Sequence, residues 1–354
     1  MTPRAEALPH APARVLRIPS GLLRALWAVG ASFVVTAILV VLAGKDPIAA
    51  FSAMFYGAFG SFDRVAFGLN KSTPYILCGV GIALCFRARL INIGGEGQIA
   101  IGGLAAAWAA FAWPQQSAWL ALPIVLFAGA VAGALWSGLA GVIHLTRHVH
   151  EVLATLLLNF VALLLVGEAL HGSLGEPGAG FPQSPMLEPS YWMPTLARGT
   201  QLHAGIVVAI FAAGLGHVYL WRTTGGFALR VAGASRSAAA YAGFSAGAII
   251  MKLMLLSGAL AGIAGAVEVV GIHYRLIEGF SNGFGFNAVV VALLGALNPI
   301  AVIPAGLFFG FLEAGALAMQ RQVGVPSSLV FVIQGLTMLL VLAALARRAE
   351  AKGG

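Results

Sequence analysis

The chain alternates between apolar stretches and short polar, glycine-rich or proline-rich breaks. About 20 helical residues cross a hydrocarbon core roughly 30 Å thick. Five stretches reach that length clearly, and three more come close to it. The clear ones are 22–43, 117–144, 152–170, 203–221 and 246–271, and the others are 72–86, 93–112 and 299–319. Each is predicted to be a membrane-spanning helix.

Two further apolar segments lie near the C-terminus. Residues 328–346 are long enough to span, whereas 286–297 would give only about 18 Å of helix. The shorter segment is predicted to be a half-helix or part of a tilted, broken span. Counting it as a crossing gives about ten. The sequence therefore predicts an all-α polytopic membrane protein with a transmembrane domain at 22–346 and terminal tails at 1–21 and 347–354.

The composition agrees with this pattern. Of the 354 residues, 60% are hydrophobic and 9% are charged, and the mean hydropathy is +0.93. Soluble domains have about 45–50% apolar and roughly 25% charged residues, so a water-soluble fold is excluded. The two cysteines, Cys78 and Cys85, cannot form a disulfide framework and are predicted to be small buried apolar residues.

The basic residues predict the orientation. Three arginines precede the first span without a cleavage pattern after it, which favours an uncleaved first helix. With ten crossings, six of the 20 Lys and Arg lie opposite the N-terminus: Lys45, Arg64, Lys71, Arg198, Arg275 and Arg321. The other fourteen lie on the N-terminal side, so the positive-inside rule predicts cytoplasmic N- and C-termini. If 286–297 re-enters and returns instead, the basic C-terminal tail falls outside.

Two loops are long enough to serve as contact surfaces. The external loop, 171–202, contains five prolines, which forbid a continuous helix and predict an ordered cap or docking loop. The cytoplasmic loop, 222–245, begins with a break at Gly225 and Gly226 and continues as an alanine-rich segment that carries Arg230, Arg236 and Tyr241. This segment is predicted to form a short helix along the membrane surface that contacts a partner.

Three polar residues interrupt the span near residue 93. Asn92, Glu96 and Gln98 lie among five glycines, and a carboxylate inside a span costs at least about 2.5–3.5 kcal/mol unless it faces protein or water. Two compatible interpretations stay open. The segment is either a close helix crossing held by polar contacts or a broken helix that lines a substrate path.

Other polar residues within the spans allow the same two interpretations. Asn159 lies near the centre of its span, and Asn287 follows a glycine- and phenylalanine-rich loop. Glu268 and Glu313 are predicted to be buried structural residues. The chain has no Walker A sequence, and its histidines do not form a convincing metal site.

Several motifs occur in an order that resembles a known family. They are NIGGEGQ at Asn92, EVLATLLLNF at Glu151, LRVAGASRSAAAYAGF at Leu229, LSGALAGIAGA at Leu256 and EGFSNGFGFNAVVVALLGALNP at Glu278. Together they resemble the permease subunits of bacterial ATP-binding cassette (ABC) importers for simple sugars, nucleosides and branched-chain amino acids, and most closely the nucleoside branch.

The resemblance implies a bacterial inner-membrane transport subunit without an enzymatic activity or a cofactor of its own. It also implies three partners: a second permease subunit, an external substrate-binding protein and cytoplasmic ATPases that bind ATP with Mg²⁺. The expected ATPase-coupling residues are Arg230, Gly233, Arg236, Ala239, Tyr241 and Gly243. The expected substrate-path residues are Asn92, Glu96, Gln98, Asn159 and Asn287. The chain departs from the family pattern at Ala296 and Leu297, where polar residues are common.

Three alternatives remain at this stage. Two concern the substrate, which would be a ribose-like sugar or a branched-chain amino acid instead of a nucleoside. The third is an ion-coupled secondary transporter that uses Glu96, Glu268 or Glu313 as proton sites. A membrane-embedded enzyme would require a catalytic pair at matched depth. Glu96 and Gln98, two residues apart on a helix, do not supply one.

Overall fold

The computed structural model describes residues 20–114 and 116–326, together with the isolated positions 329, 332, 335 and 336. The regular structure in this part of the chain is helical. The helices are α1 (Ser20–Leu42), α2 (Pro47–Phe59), α3 (Phe62–Arg87), α4 (Gly95–Ala112), α5 (Ala118–Arg147), α6 (Glu151–His171), α7 (Gly205–Arg222), α8 (Thr224–Ala234), α9 (Arg236–Tyr241), α10 (Ala246–Glu268), α11 (Phe284–Leu294) and α12 (Pro299–Val323).

Most of the predicted spans are present. Six described helices, α3, α5, α6, α7, α10 and α12, are long and apolar enough to cross a membrane, and the predicted all-α polytopic fold is confirmed. A π-helical turn, Val269–His273, extends α10. Residues 1–19 of the N-terminal tail, most of the predicted span 328–346 and the tail 347–354 lie outside the described residues. The sidedness of the termini stays a prediction.

Helix α2 was not predicted. Its 13 residues are too few to cross a bilayer alone, so a search for 20-residue stretches misses it. Local signals define its start, because the Asp46 side chain accepts a hydrogen bond from the Ile48 N–H and Pro47 occupies the first turn.

Helix α3 begins ten residues before the predicted span. The Ser61 hydroxyl accepts a hydrogen bond from the Arg64 N–H and caps the helix. The polar residues 70–73 are buried because they pack against α12 and against the segment before α7. The hydropathy pattern therefore predicted a loop where these polar residues form the buried first half of a helix.

The centre of the molecule is a crossing of α4, α5 and α10 in which backbones touch. A Cβ atom on Gly262 would lie 2.0 Å from the Gly129 carbonyl oxygen, and one on Gly102 would lie 2.3 Å from the Gly262 Cα. A Cβ on Gly133 would meet the Gly258 carbonyl at 2.3 Å. Small residues allow this close approach, which favours van der Waals packing where lipid supplies no hydrophobic driving force.

The pairing of residues gives relative helix directions. Gly310 and Gly306 of α12 contact Ser72 and Ile76 of α3, so α12 runs antiparallel to α3. Conversely, Asn70 near the start of α3 bonds to the segment just before α7, while Leu84 and Leu220, near the ends of α3 and α7, share one apolar cluster. Helices α3 and α7 are therefore parallel.

The segment from 274 to 298 crosses the molecule once. It starts beside the external loop, where Gln183 and Ile277 form an isolated β-bridge. It ends near the far end of α7, where the His217 ring lies 3.4 Å from the Asn298 side chain. The short helix predicted at 286–297 is present as α11, and its 11 residues form the second half of this crossing.

Residues 171–202, the predicted external loop, form an ordered segment, and the side of the membrane that they face stays a prediction. The segment includes a short 3₁₀ turn, Pro189–Tyr191, and the buried Tyr191 hydroxyl donates to the Trp113 carbonyl. Burial lowers the pKa of His203 to about 4, so this residue is neutral near pH 7. Its Nδ1 accepts a hydrogen bond from the Gly205 N–H, which ties the end of the cap to α7.

The predicted cytoplasmic loop, 222–245, contains two helices, α8 and α9, instead of the single short helix that was predicted. The break after α7 falls at Thr223, whose side chain caps α8 by accepting from the Gly226 N–H. Gly225 and Gly226 therefore lie in the first turn of α8 and are not the break itself. Ser235 separates α8 from α9 and caps α9 in the same way.

Candidate functional site

Helix α4 begins near the middle of the predicted bilayer. The Gly97 N–H donates to the Asn159 side chain at 2.8 Å, and Asn159 lies eight residues, about 12 Å, into α6. Helix α6 spans about 31 Å in its 21 residues. The non-helical segment 90–94 leads the chain to this depth, so α4 starts within the bilayer, as the half-helices of broken spans do, and its 18 residues extend about 27 Å from there.

Asn92 and Gln98 form one buried cluster at this point. The Gln98 Nε2 and the Gly94 N–H both donate to the Asn92 Oδ1, at 3.1 and 2.9 Å. The Asn92 Nδ2 donates to the Ser257 hydroxyl of α10 at 3.0 Å. These amides satisfy one another and fix the entry to α4 against α10.

Asn159 holds the same segment from the other side. Besides accepting from Gly97, it donates through Nδ2 to the Ile93 carbonyl at 2.9 Å. The Thr155 hydroxyl accepts from the Ile93 N–H at 3.3 Å. Asn159 thus replaces the hydrogen bonds that the backbone loses where the helix is interrupted.

Glu96 joins α4 to α11. Its Oε1 accepts from the Gly283 N–H at 3.0 Å and its Oε2 from the Gly285 N–H at 2.9 Å, while only 3% of the residue is exposed. The carboxylate therefore lies where the N-terminal ends of α4 and α11 meet at mid-depth. From there the two half-helices extend toward opposite sides of the membrane. Both helix dipoles stabilise its negative charge. Contact is close enough that a Cβ on Gly285 would overlap the Glu96 N–H.

A second buried polar chain starts at Asn287, in the first turn of α11. Its Nδ2 donates to the Tyr75 hydroxyl at 3.3 Å, and that hydroxyl donates to the Glu313 Oε2 at 2.6 Å. The Lys71 Nζ lies 3.2 Å from the Glu313 Oε1. These contacts join α11, α3 and α12. The hydrogen bond from Tyr75 to Glu313 stabilises the ion pair between Lys71 and Glu313.

Glu268 lies near this chain at the end of α10. Neither of its carboxylate oxygens has a hydrogen-bond partner among the described residues, and none of its surface is exposed. Its nearest basic group is the His273 Nε2, 3.8 Å away. Lys71 also attracts it electrostatically. The predicted structural burial of Glu268 and Glu313 is confirmed, and both residues belong to one charged cluster.

The five predicted path residues are thus brought together around the two half-helices. Asn92, Glu96, Gln98 and Asn159 are buried and bonded to protein, whereas Asn287 is half-exposed. Sequence reasoning did not identify Tyr75 and Lys71, whose partner Glu313 is 238 residues from Tyr75. Nothing in the sequence pattern signals that pairing.

The predicted coupling residues divide into two groups. Arg236, Tyr241 and Gly243 are exposed, and Tyr241 is 97% exposed. Arg230, Gly233 and Ala239 pack inward. The Arg230 guanidinium donates to the Leu220 carbonyl and lies 4.9 Å from the Trp221 ring centroid, and a Cβ on Gly233 would lie 2.0 Å from the Arg87 carbonyl oxygen.

Two half-helices whose N-termini meet at mid-depth, within a bundle of apolar helices, are a feature of membrane transport proteins. A sequence profile of the family described as "Branched-chain amino acid transport system / permease component" matches residues 64–342. The chain belongs to this family. It is therefore a transport subunit, and its family and long apolar helices make it a multi-pass protein of the bacterial inner membrane.

Curated relatives cover most of the chain. It is 35% identical over 317 residues to a guanosine ABC transporter permease protein of Bacillus subtilis, covering 88% of this chain and 90% of the relative. It is 33% identical over 322 residues to a glucose ABC transporter permease protein of Haloferax volcanii, covering 88% and 84%. It is 29% identical over 324 residues to a nucleoside ABC transporter permease protein of Lactococcus lactis, covering 87% of each.

Proposed function

We propose that this chain forms the translocation path of an ABC importer for nucleosides. The observation that carries the proposal is the 35% identity to the guanosine permease along nearly the whole of both chains. The nucleoside permease of Lactococcus lactis adds to it. The glucose permease is nearly as similar, which makes a sugar the second candidate.

The position of Glu96 argues against a branched-chain amino acid as the substrate. A branched-chain amino acid carries a carboxylate, and the helix N-termini that would attract it are already occupied by the Glu96 carboxylate. A second anion beside Glu96 would be repelled. Neutral solutes such as nucleosides and sugars meet no such penalty.

In the proposed importer, ATP and Mg²⁺ bind to separate cytoplasmic ATPase subunits. An external substrate-binding protein delivers the solute to the cap at 171–202, and a second permease subunit completes the path. The chain crosses the membrane about ten times with both termini inside. No residue of this chain transforms the substrate, and Asn92, Gln98 and Asn159 serve the path by holding α4 in place.

The ATPase contact is proposed to lie on α9 and the turn after it. Arg236, Tyr241 and Gly243 are exposed there. Beside them a cleft of about 250 Å³ opens between α8 and α10, lined by Tyr219, Ala228, Phe244, Ile249 and Lys252. Gly233 and Arg230 act indirectly, because they fix α8 to the ends of α3 and α7.

Replacing Tyr241 and Arg236 together by alanine is expected to uncouple the ATPases while leaving the permease folded. Both side chains are exposed, so their loss removes contacts with a partner and not with the core. The measurement is the stimulation of ATP hydrolysis by substrate-loaded binding protein in the assembled complex. This stimulation should fall at least roughly tenfold, which corresponds to about 1.4 kcal/mol of lost contact energy.

The matched control is Phe211→Ala, which removes a 65% exposed aromatic side chain in the middle of α7, away from both the cap and α9. Its stimulation should equal that of the unmodified complex. If the double variant is stimulated as strongly as the control, the ATPases do not dock on α9.

The substrate is tested with the complete transporter in lipid nanodiscs. Guanosine, glucose or leucine is added with the binding protein, and ATP hydrolysis is measured. We expect stimulation with guanosine at least several-fold above that with the other two. Equal or greater stimulation by glucose would replace the nucleoside proposal with the sugar one.

A further inference from the structure

The first turn of α11 and the turn before it expose two asparagines and a phenylalanine near the middle of the bilayer. Asn282 is exposed, Asn287 is half-exposed and Phe286 is 38% exposed. All three lie within three residues of Gly285, which touches Glu96 at mid-depth. A polar group facing lipid at that depth is costly. The asparagines must therefore meet water or protein.

The amide of Asn287 is held in a fixed orientation. The Tyr75 hydroxyl accepts from its Nδ2 and is itself oriented by Glu313, which pairs with Lys71. The Tyr75 ring also packs edge-on against Phe284 at 5.1 Å between centroids. No described residue donates to the Asn287 Oδ1. The amide thus retains one free acceptor and one free N–H in a defined direction.

The backbone before α11 turns sharply to present these side chains. Gly279, Asn282 and Gly283 have φ angles of 72°, 42° and 80°. Asparagine tolerates the left-handed region better than most residues, and glycine adopts it without cost. The adjacent N–H groups of Gly283 and Gly285 are used by Glu96, so the positive end of α11 is already neutralised.

We propose that Asn282, Phe286 and Asn287 form the substrate contact of the translocation path, and that its ligand is a neutral planar heterocycle. The Phe286 ring stacks on the base, and the Asn287 amide pairs with the hydrogen-bonding edge of the base. Lys71, Tyr75 and Glu313 are positioning residues that orient Asn287. This inference rests on the proposed nucleoside function and assigns the residues that recognise the base.

The chain is well suited to a cysteine-accessibility experiment. Its only two cysteines, Cys78 and Cys85, are buried, so they give little background with a charged thiol reagent. Asn282→Cys and Asn287→Cys are assembled with the ATPases, second permease and binding protein in nanodiscs. Their reaction with a cationic methanethiosulfonate is followed with and without saturating guanosine. The control is Phe211→Cys, at a 65% exposed position in the middle of α7.

Both asparagine positions should react at least tenfold faster than the control, because the reagent reaches only cysteines in contact with water. Guanosine should slow the Asn287→Cys reaction severalfold. If neither cysteine reacts faster than Phe211→Cys, or if guanosine leaves the rates unchanged, the proposed contact is wrong. Loss of nucleoside stimulation in the unmodified complex would instead contradict the proposed function, so the two failures are distinguishable.

The positioning role is tested with Tyr75→Phe, which keeps the ring and removes the hydroxyl that holds Asn287. One hydrogen bond contributes about 0.5–1.5 kcal/mol, so the KM for guanosine uptake should rise roughly 2–10-fold. The maximal rate should stay close to that of the unmodified protein, whereas the midpoint of thermal unfolding should fall somewhat, because the buried Glu313 carboxylate also loses a hydrogen bond. An unchanged KM, or a fall in stability without a change in KM, would contradict the positioning role.

Discussion

Alanine in place of Gly262 is expected to remove most of the folded protein from the membrane. The added Cβ would lie 2.0 Å from the Gly129 carbonyl oxygen and 3.1 Å from the Gly133 Cα. Both obstacles are backbone atoms, so no side chain can rotate away. Overpacking of a core costs about 1–3 kcal/mol even where side chains can adjust, and here α5 and α10 must separate.

The measurement is the yield of monodisperse protein after detergent extraction, together with its midpoint of thermal unfolding. Gly214→Ala is the matched control, because nothing lies within 4 Å of the added Cβ on α7. Alanine also favours helix over glycine by about 1 kcal/mol, so the control should be as stable as the unmodified protein or slightly more stable. Normal yield and midpoint for Gly262→Ala would show that the close crossing is wrong.

Glu96→Ala is expected to separate the two half-helices and abolish uptake. Two buried N–H groups, on Gly283 and Gly285, would lose their acceptor. Hydrogen bonds to charged groups contribute about 1.5–3 kcal/mol each, so the free energy of unfolding should fall by about 3 kcal/mol or more. Both the thermal midpoint and guanosine uptake should fall.

The glutamine variant distinguishes the roles of charge and shape at position 96. Its carbonyl oxygen can accept one of the two hydrogen bonds, so Glu96→Gln should be less destabilised than Glu96→Ala. Glu278→Ala is the control, because Glu278 is an exposed carboxylate at the start of the same crossing segment. If Glu96→Ala takes up guanosine as fast as the control, Glu96 is not required for transport.

The spans were predictable because their lengths match the bilayer. Helix α2 was not, because 13 apolar residues satisfy no length rule and its position depends on contacts with α12. The polar start of α3 was missed for a related reason. Residues 70–73 look like a loop until the surfaces that bury them are known.

The candidate site was predictable in its residues and not in their roles. Glycines around Glu96 indicated a close helix crossing or a broken helix, yet the partner of that carboxylate is the backbone of a segment 187 residues away. The coupling segment shows the same limit. Gly233 and Tyr241 lie eight residues apart, but one packs against Arg87 and the other is almost fully exposed.

The most direct test is guanosine accumulation in proteoliposomes that contain both permease subunits and the ATPases, with binding protein outside and no ion gradient. We predict that accumulation requires ATP on the side of the ATPases and stops when hydrolysis is blocked. Accumulation that needs no ATP and follows an imposed proton or sodium gradient would contradict an ABC importer. It would instead support the ion-coupled alternative based on Glu96, Glu268 and Glu313.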